Sequence, residues 1–121
     1  MRRRLLSDEE IYEKMTQLML EKRLFLRKQL TREDVAREVL ANRTYVTRAL
    51  RGKGLNFSQF VNAFRAQYAI GLLFDPRYRD ARPFDIAELS GFSSVETMNR
   101  YIKKSAGSTA CAVRERIRGK D

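Results

Sequence analysis

Two short segments, one in each half of the chain, carry residue types that hydrogen-bond to nucleotide bases, at the spacing of a helix surface. An Arg can donate two hydrogen bonds to guanine, a carboxylate can accept one from cytosine, and methyl groups can contact thymine. The predicted base-reading residues are Thr44, Thr47 and Arg48 in the first segment and Val95, Glu96, Thr97 and Arg100 in the second. Two alternatives stay open, because Arg48 could hold a phosphate instead and Val95 could pack in the core.

Basic residues around these segments indicate a polyanionic partner. The chain has 25 Lys and Arg against 15 Asp and Glu, a net charge of +10, which favours phosphate contacts through counterion release. The predicted phosphate contacts are Arg43, Arg51, Lys53, Lys103 and Lys104. No acidic residue occurs between Glu38 and Asp75, an interval that contains Arg43, Arg48, Arg51, Lys53 and Arg65. Because ordinary solvated surfaces mix both signs, this interval predicts an unmixed basic surface.

The sequence lacks the residue types of histidine-based catalysis and of zinc sites built on Cys and His. The sequence has no His and a single Cys. This composition excludes zinc sites built on Cys and His, His-dependent general-base chemistry and an internal disulfide. We therefore predict no enzyme activity, no metal and no cofactor, and we interpret Cys111 as a small packing residue.

Nothing in the sequence predicts a membrane segment. No apolar run approaches the roughly 20 residues of a membrane span. The first four residues are similar to the start of a signal peptide, but Asp8, Glu9 and Glu10 interrupt the apolar stretch that should follow. The chain is expected to be cytoplasmic and to make no membrane contact, either as it stands or as the cytoplasmic end of a longer regulator.

Helices are predicted to position the candidate side chains. Helix-start residues occur at Ser7, Thr31 and Ser58, and at either Asn42 or Thr44. With the apolar residues that follow at helical spacing, the predicted helices cover about 8–24, 31–40, 42–51, 58–74, 84–90, 94–104 and 109–117. No strand-type alternation of useful length occurs, so the predicted fold is all-α.

Two pairs of these helices have the pattern of a helix-turn-helix. Such a pair needs a small residue where its helices cross, and Ala36 and Ala87 occupy that place. Gly91 is expected to supply the positive φ of the second turn. Leu40 stands at the corresponding place in the first turn, which is therefore predicted to use another geometry. The stretch 77–83 between the pairs is the only linker-like segment.

The second helix-turn-helix contains a specific motif, made of Ile86–Ser94, Asn99–Arg100, Lys103–Lys104, Gly107 and Arg114. On these residues, and over about 30–117 as a whole, the chain closely resembles the DNA-binding domain of the AraC/XylS family of bacterial transcription regulators. Asn42–Tyr45 and Asn56–Asn62 are similar to members from Bacteroides-type bacteria.

The resemblance implies a domain organisation and a set of partners. Residues 1–30 would be an N-terminal helix and linker, and 31–121 the DNA-binding domain. Its helix-turn-helix units would lie at about 31–53 and 84–106, joined by a central helix at about 57–74, and would enter adjacent major grooves of a double-stranded operator. RNA polymerase and a sensor domain outside this chain are further implied partners. Residues 1–30 would link to that sensor, unless they form a dimerisation helix.

Four positions depart from the family pattern. Met98 and Ile102 replace aromatic residues, Ala110 replaces Pro, and Val113 replaces Tyr. The expected consequence is a less stable last helix rather than altered DNA binding.

The alternative interpretation is a helical protein-interaction module without DNA specificity, whose binding would survive high salt. Under the DNA-binding interpretation, the strongly basic first helix-turn-helix is expected to supply more of the affinity. The second is expected to be more selective, because Glu96 lies on its reading face.

Overall fold

The computed structural model describes residues 6–119, and all regular structure within this range is helical. Seven α-helices are present in it: α1 Asp8–Lys22, α2 Arg32–Glu38, α3 Arg43–Arg51, α4 Phe57–Phe74, α5 Pro83–Leu89, α6 Val95–Ala106 and α7 Ala110–Arg118. Short 3₁₀ helices occur at Leu24–Leu26 and Pro76–Tyr78. The predicted all-α fold, with two helix-turn-helix pairs, a long helix between them and an extra N-terminal helix, is confirmed.

The chain forms two compact units that are not contiguous in sequence. Unit 1 combines the residues up to Leu24 with Gln29–Phe60, and unit 2 combines Phe25–Lys28 with the residues from Val61 onwards. The assignment of residues 1–30 to an N-terminal helix and linker and of 31–121 to a DNA-binding domain stays a prediction. In the structure α1 packs against α3 within unit 1.

The N-terminal helix of unit 1 begins at a capping box. The Ser7 hydroxyl accepts a hydrogen bond from the Glu10 backbone N–H, and the Glu10 carboxylate accepts one from the Ser7 N–H. Ile11, Met15 and Met19 are buried at helical spacing. The helix ends at Lys22 rather than at the predicted Leu24, because the next residue, Arg23, adopts the left-handed conformation with φ of 50°.

Side-chain caps also define the first helix-turn-helix. Thr31 and Asp34 form a reciprocal pair at the start of α2, and the Asn42 carboxamide accepts from the Tyr45 N–H at the start of α3. Of the two candidate caps for α3, the structure therefore uses Asn42. Val46 and Leu50 are buried at 0% and 1% exposure, which places the opposite side of α3 in solvent.

The two helix-turn-helix turns share one geometry, contrary to the prediction from the missing glycine. Gly91 has φ of 86° and Leu40 has φ of 57°. In each turn the backbone N–H of the next residue donates to the carbonyl of the alanine at which the two helices cross. The Ala41 N–H donates to the Ala36 carbonyl at 2.9 Å, and the Phe92 N–H donates to the Ala87 carbonyl at 3.0 Å. Leu40 tolerates the strained conformation with its side chain 87% exposed, so no neighbour adds a steric clash.

The longest helix, α4, begins at Phe57 and not at the predicted cap Ser58. Asn56 is the cap: its Oδ1 accepts from the Gln59 N–H, and the Gln59 side chain accepts from the Asn56 N–H. This helix starts in unit 1 and continues into unit 2.

Within unit 2, α5 begins at Pro83, one residue before the predicted start, because proline is well suited to the first helical position. Ile86, Phe92, Met98 and Ile102 are almost completely buried and share one core with small residues of α4. The stretch 77–83 is not a linker. Arg114 of α7 donates to the carbonyls of Tyr78 and Ala81 and so ties this stretch into unit 2.

The last helix, α7, is held by a side-chain cap, a hydrogen bond to α6 and apolar packing. Thr109 caps α7 by accepting from the Ala112 N–H. The Ala110 N–H, which a proline would lack, donates to Asn99 Oδ1 at 3.0 Å. Val113 is buried, so the helix is fixed by both packing and hydrogen bonds.

Candidate nucleic-acid interface

The second helix of the first pair, α3, separates its side chains into a buried face and a solvent face. Thr44 and Arg48 are exposed and Thr47 is partly exposed, while Val46 and Leu50 lie in the core. The three predicted base-reading residues of this helix are therefore accessible to a ligand.

Arg48 is accessible but has intramolecular partners. Its guanidinium lies 3.6 Å from the Asp8 carboxylate, and its side chain is 58% exposed. The same group lies 5.7 Å from the centre of the Tyr45 ring. With both contacts present, more than half of the Arg48 side chain stays accessible to solvent.

Other cations of unit 1 pair with acidic residues from the preceding helices. Arg43 lies 3.3 Å from Glu33, and Lys53 lies 2.9 Å from Glu9. The hydrogen bond and charge of Glu9 raise the pKa of Lys53. The predicted unmixed basic surface is therefore wrong, because α1 and α2 bring carboxylates from before the acid-free interval onto this surface. Within residues 6–119, no ion pair involves Arg51.

Arg65, which the sequence placed in the same basic interval, has a structural role in unit 2. It is 8% exposed, and burial lowers its pKa. Its guanidinium donates to the carbonyls of Phe25 and Arg27, each at 2.6 Å, and to Asn62 Oδ1 at 2.9 Å. The sequence interval indicated a surface position for Arg65. That indication was wrong, because an interval without acidic residues does not distinguish a solvated Arg from a buried one.

The corresponding helix of unit 2, α6, has a less uniform outer face. Glu96 and Arg100 are exposed, whereas Thr97 is partly buried and accepts a hydrogen bond from the Ser94 hydroxyl at 3.0 Å. Val95 packs against the core of unit 2. Of the two alternatives for Val95, core packing is thus the one seen, with part of its surface left accessible.

Cations in the second half of α6 surround an aromatic ring. Arg100 and Lys104 lie 5.6 and 5.1 Å from the centre of the Tyr101 ring, distances at which cation–π attraction fixes a side chain. Lys103 and Lys104 are exposed in the last turn of the helix. The predicted phosphate contacts of unit 2 are therefore at the surface.

The two units differ in charge. Among the described residues, acidic and basic side chains nearly balance in unit 1, whereas basic side chains clearly outnumber acidic ones in unit 2. Within unit 1, the acidic side chains of α1 offset the basic excess of the first helix-turn-helix.

The remaining features bear on the cysteine, on metal sites and on membrane segments. Cys111 is exposed, so its interpretation as a packing residue is wrong. No cluster of His, Cys, Asp and Glu suited to a metal ion occurs among residues 6–119. No helix in the same range has the length and apolar character required to cross a membrane.

Comparison with known proteins establishes a similarity of fold. No protein-family model matches the chain, and no curated protein sequence matches it. A solved structure, the crystal structure of a DNA-binding transcriptional dual regulator from Escherichia coli K-12, superposes with a TM-score of 0.71 at 18% identity. The match covers 98% of this chain and 99% of that one. The chain therefore has, over nearly its whole length, the fold of that regulator.

Proposed function

We propose that the chain is a sequence-specific, double-stranded DNA-binding domain of a bacterial transcription regulator, with α3 and α6 as recognition helices for adjacent major grooves. One observation carries the proposal. In each unit the second helix of a helix-turn-helix buries an apolar pair, Val46 with Leu50 or Met98 with Ile102, and exposes an Arg on the other side. Recognition helices in this motif use their solvent face to contact base edges.

The energies of two interactions determine whether Arg48 can leave Asp8 and contact a base. An exposed ion pair such as Asp8–Arg48 contributes below about 1 kcal/mol. A bidentate Arg–guanine contact contributes about 1–3 kcal/mol of discrimination. Guanine therefore competes successfully with Asp8, and Arg48 is proposed as a base reader together with Thr44 and Thr47.

In unit 2, Arg100 and Glu96 are the proposed readers. Both are exposed on α6, and they have opposite preferences, Arg for guanine acceptors and Glu for the cytosine amino group. Thr97 and Val95 are proposed to contribute only through their accessible methyl groups, since each is partly buried.

Phosphate contacts are proposed for Arg51, Lys103 and Lys104, which are exposed, and for Arg43 and Lys53, which would exchange a carboxylate for a phosphate. The first helix-turn-helix is proposed to supply more of the electrostatic affinity, since residues 31–53 carry six basic and three acidic side chains whereas residues 84–106 carry three of each.

The AraC/XylS assignment belongs to the same proposal. It is supported by the motif of the second helix-turn-helix and by the fold shared with a bacterial DNA-binding regulator. RNA polymerase as a partner, a sensor domain outside this chain and a cytoplasmic location follow from that assignment and are proposed with it.

Selection from a random duplex library, followed by fluorescence anisotropy on the selected site, tests the proposal. We expect two half-elements about one DNA turn, roughly 34 Å, apart, and a steep fall in affinity with salt. Arg48→Ala should remove preference in one half-element and Arg100→Ala in the other. Arg23→Ala, an exposed Arg outside both recognition helices, is the matched control. Full sequence preference in both recognition-helix variants would refute the assignment of readers.

A protein-interaction module is the second candidate, and one observation favours it. Unit 2 has a groove of about 290 Å³ lined by Ile70, Phe74, Ala106, Val113, Arg116 and Ile117. Phe74 is 62% exposed at its edge. Binding through this groove would persist in high salt and in the Arg48→Ala and Arg100→Ala variants, opposite to the behaviour expected for DNA.

A further inference from the structure

A pocket in unit 1 lies beside the recognition helix α3 and is lined by hydrogen-bond donors. Its volume is about 200 Å³. Its polar lining consists of Arg32, Thr47, Arg51 and Asn56, and apolar side chains form the remainder. Among the described residues, no carboxylate lines this pocket. Two guanidinium groups without a neutralising acid make it suited to an anion.

Arg32 is not among the residues that the sequence predicts to contact DNA. It is the first residue of α2, and its guanidinium lies 5.7 Å from the centre of the Phe57 ring. Its Nε is shielded from solvent and has no hydrogen-bond partner among the described residues. A buried N–H without an acceptor is unfavourable, and an anion in the pocket would offer the acceptor that residues 6–119 do not provide.

The other donors come from residues near the reading face. Thr47 and Arg51 are four residues apart on α3 and therefore lie on one side of the helix. Asn56 uses its Oδ1 to cap α4, which leaves its amino group as the part that can donate to a ligand. The pocket thus borders residues already proposed to contact DNA.

We propose that Arg32 and Arg51 together bind one phosphodiester group of the DNA backbone in this pocket. The proposal rests on the proposed function and adds a contact from the first helix of the helix-turn-helix. A guanidinium presents its N–H groups in a planar fork that matches phosphate oxygens. The Asn56 amino group adds a further donor to the same anion. This contact would fix the register of α3 on the backbone and would carry no base preference.

The test compares Arg32→Ala with Arg37→Ala in the complete chain. Arg37 lies on the same short helix, is 76% exposed and faces Asp34 at 3.6 Å, so its removal changes the net charge equally without changing the pocket. Affinity for the selected duplex and for a random duplex is measured by anisotropy over a range of salt concentrations. Arg32→Ala should weaken both complexes by roughly tenfold and reduce the salt slope by about one. Arg37→Ala should change affinity by less than about twofold.

A second variant separates charge from geometry. Arg32→Lys keeps the positive charge and loses the planar fork, so it should recover the salt slope but only part of the affinity. Thermal unfolding of each variant establishes that the folded protein is being measured. If Arg32→Ala is too unstable, Arg32→Lys alone must still bind more weakly than the wild-type chain.

Several outcomes would overturn the proposal. Equal effects of Arg32→Ala and Arg37→Ala would show that only overall charge matters. Lost preference at one base pair would make Arg32 a base reader. Binding of inorganic phosphate alone to the wild-type chain, abolished by Arg32→Ala while duplex affinity is kept, would make the pocket a free-anion site. A wild-type chain that binds no duplex would refute the proposed function and this site together, whereas the first three outcomes leave the proposed function intact.

Discussion

The Asp8 carboxylate lies 3.6 Å from the Arg48 guanidinium, joining the first turn of α1 to the proposed reading face of α3. Glu9, the next residue, makes the equivalent pair with Lys53 at 2.9 Å. The N-terminal helix therefore does more than bury Ile11 and Met15. Its first turn sets the local charge of the surface that we propose to face DNA.

Replacing Asp8 by Asn should increase affinity for any duplex by about two- to fivefold, because a carboxylate close to the DNA phosphates is removed and Arg48 loses a competitor worth less than about 1 kcal/mol. Anisotropy on selected and random duplexes measures this change. Glu21→Gln, at the other end of α1, is the control and should have a smaller effect, since Glu21 is hydrogen-bonded to Gln17 and not to a residue of the proposed reading face. Weaker binding by Asp8→Asn would instead show that the carboxylate orients Arg48 for its contact.

The two turns should respond in opposite directions to a change at the left-handed residue. Leu40→Gly should stabilise the chain by about 0.5–1 kcal/mol, since relief of backbone strain exceeds the added chain entropy. Gly91→Ala should destabilise it by about 2–4 kcal/mol, since a Cβ there would lie 2.5 Å from the Phe25 carbonyl oxygen. Urea unfolding measures both. A destabilised Leu40→Gly variant would contradict the strain argument.

Arg65→Lys should destabilise unit 2 by about 2–4 kcal/mol, because an ammonium cannot donate to the carbonyls of Phe25 and Arg27 and to Asn62 in the geometry of a guanidinium. Chemical unfolding gives the stability change. A variant with the stability of the wild-type chain would contradict the structural role of Arg65.

Unit 2 should lose stability in acid through Asp85. Its carboxylate accepts from the Arg82 backbone N–H at 2.9 Å and pairs with the Arg82 side chain at 3.2 Å. The bond from the Arg82 side chain, and to a smaller extent the one from its backbone N–H, hold the pKa of Asp85 below its ordinary value of 3.8. A carboxyl group with a lower pKa in the folded state stabilises the fold above about pH 4, and this contribution is lost as pH falls through the folded pKa.

Asp85→Asn should therefore lower stability at neutral pH and reduce the difference between urea midpoints at about pH 7 and about pH 3. Asp75 offers an independent repeat, since bonds from Arg77 lower its pKa in the same way. Wild-type and Asp85→Asn midpoints that change in parallel with pH would contradict this account.

Much of the fold was predictable because its signals are local. The caps at Ser7 and Thr31 and the buried pair Val46 and Leu50 act within a few residues of sequence, so spacing alone predicts them. Errors of one or two residues arose at helix ends. There the outcome depends on which of several competent residues, such as Asn56 or Ser58, finds its partner.

The charges of the candidate site were less predictable because their partners are remote in sequence. Arg48 and Asp8 are far apart in the chain, and only the packing of α1 on α3 brings them together. Arg65 and Arg51 look alike in sequence, yet one is enclosed by carbonyl oxygens and the other is exposed. The left-handed conformation of Leu40 was not predicted for a different reason. Leucine has a low propensity for positive φ, but the geometry of the turn requires it at this position.

The segment Phe25–Lys28 belongs to unit 2 although the chain on both sides of it belongs to unit 1. Arg65 is anchored to its carbonyl groups, and Gly91 approaches its backbone. Shortening the chain to begin at residue 31 would therefore destabilise both units at once, because it would remove α1 from unit 1 and the segment Phe25–Lys28 from unit 2. The two units are interleaved along the polypeptide, so neither can be exchanged between proteins of this fold as one continuous segment.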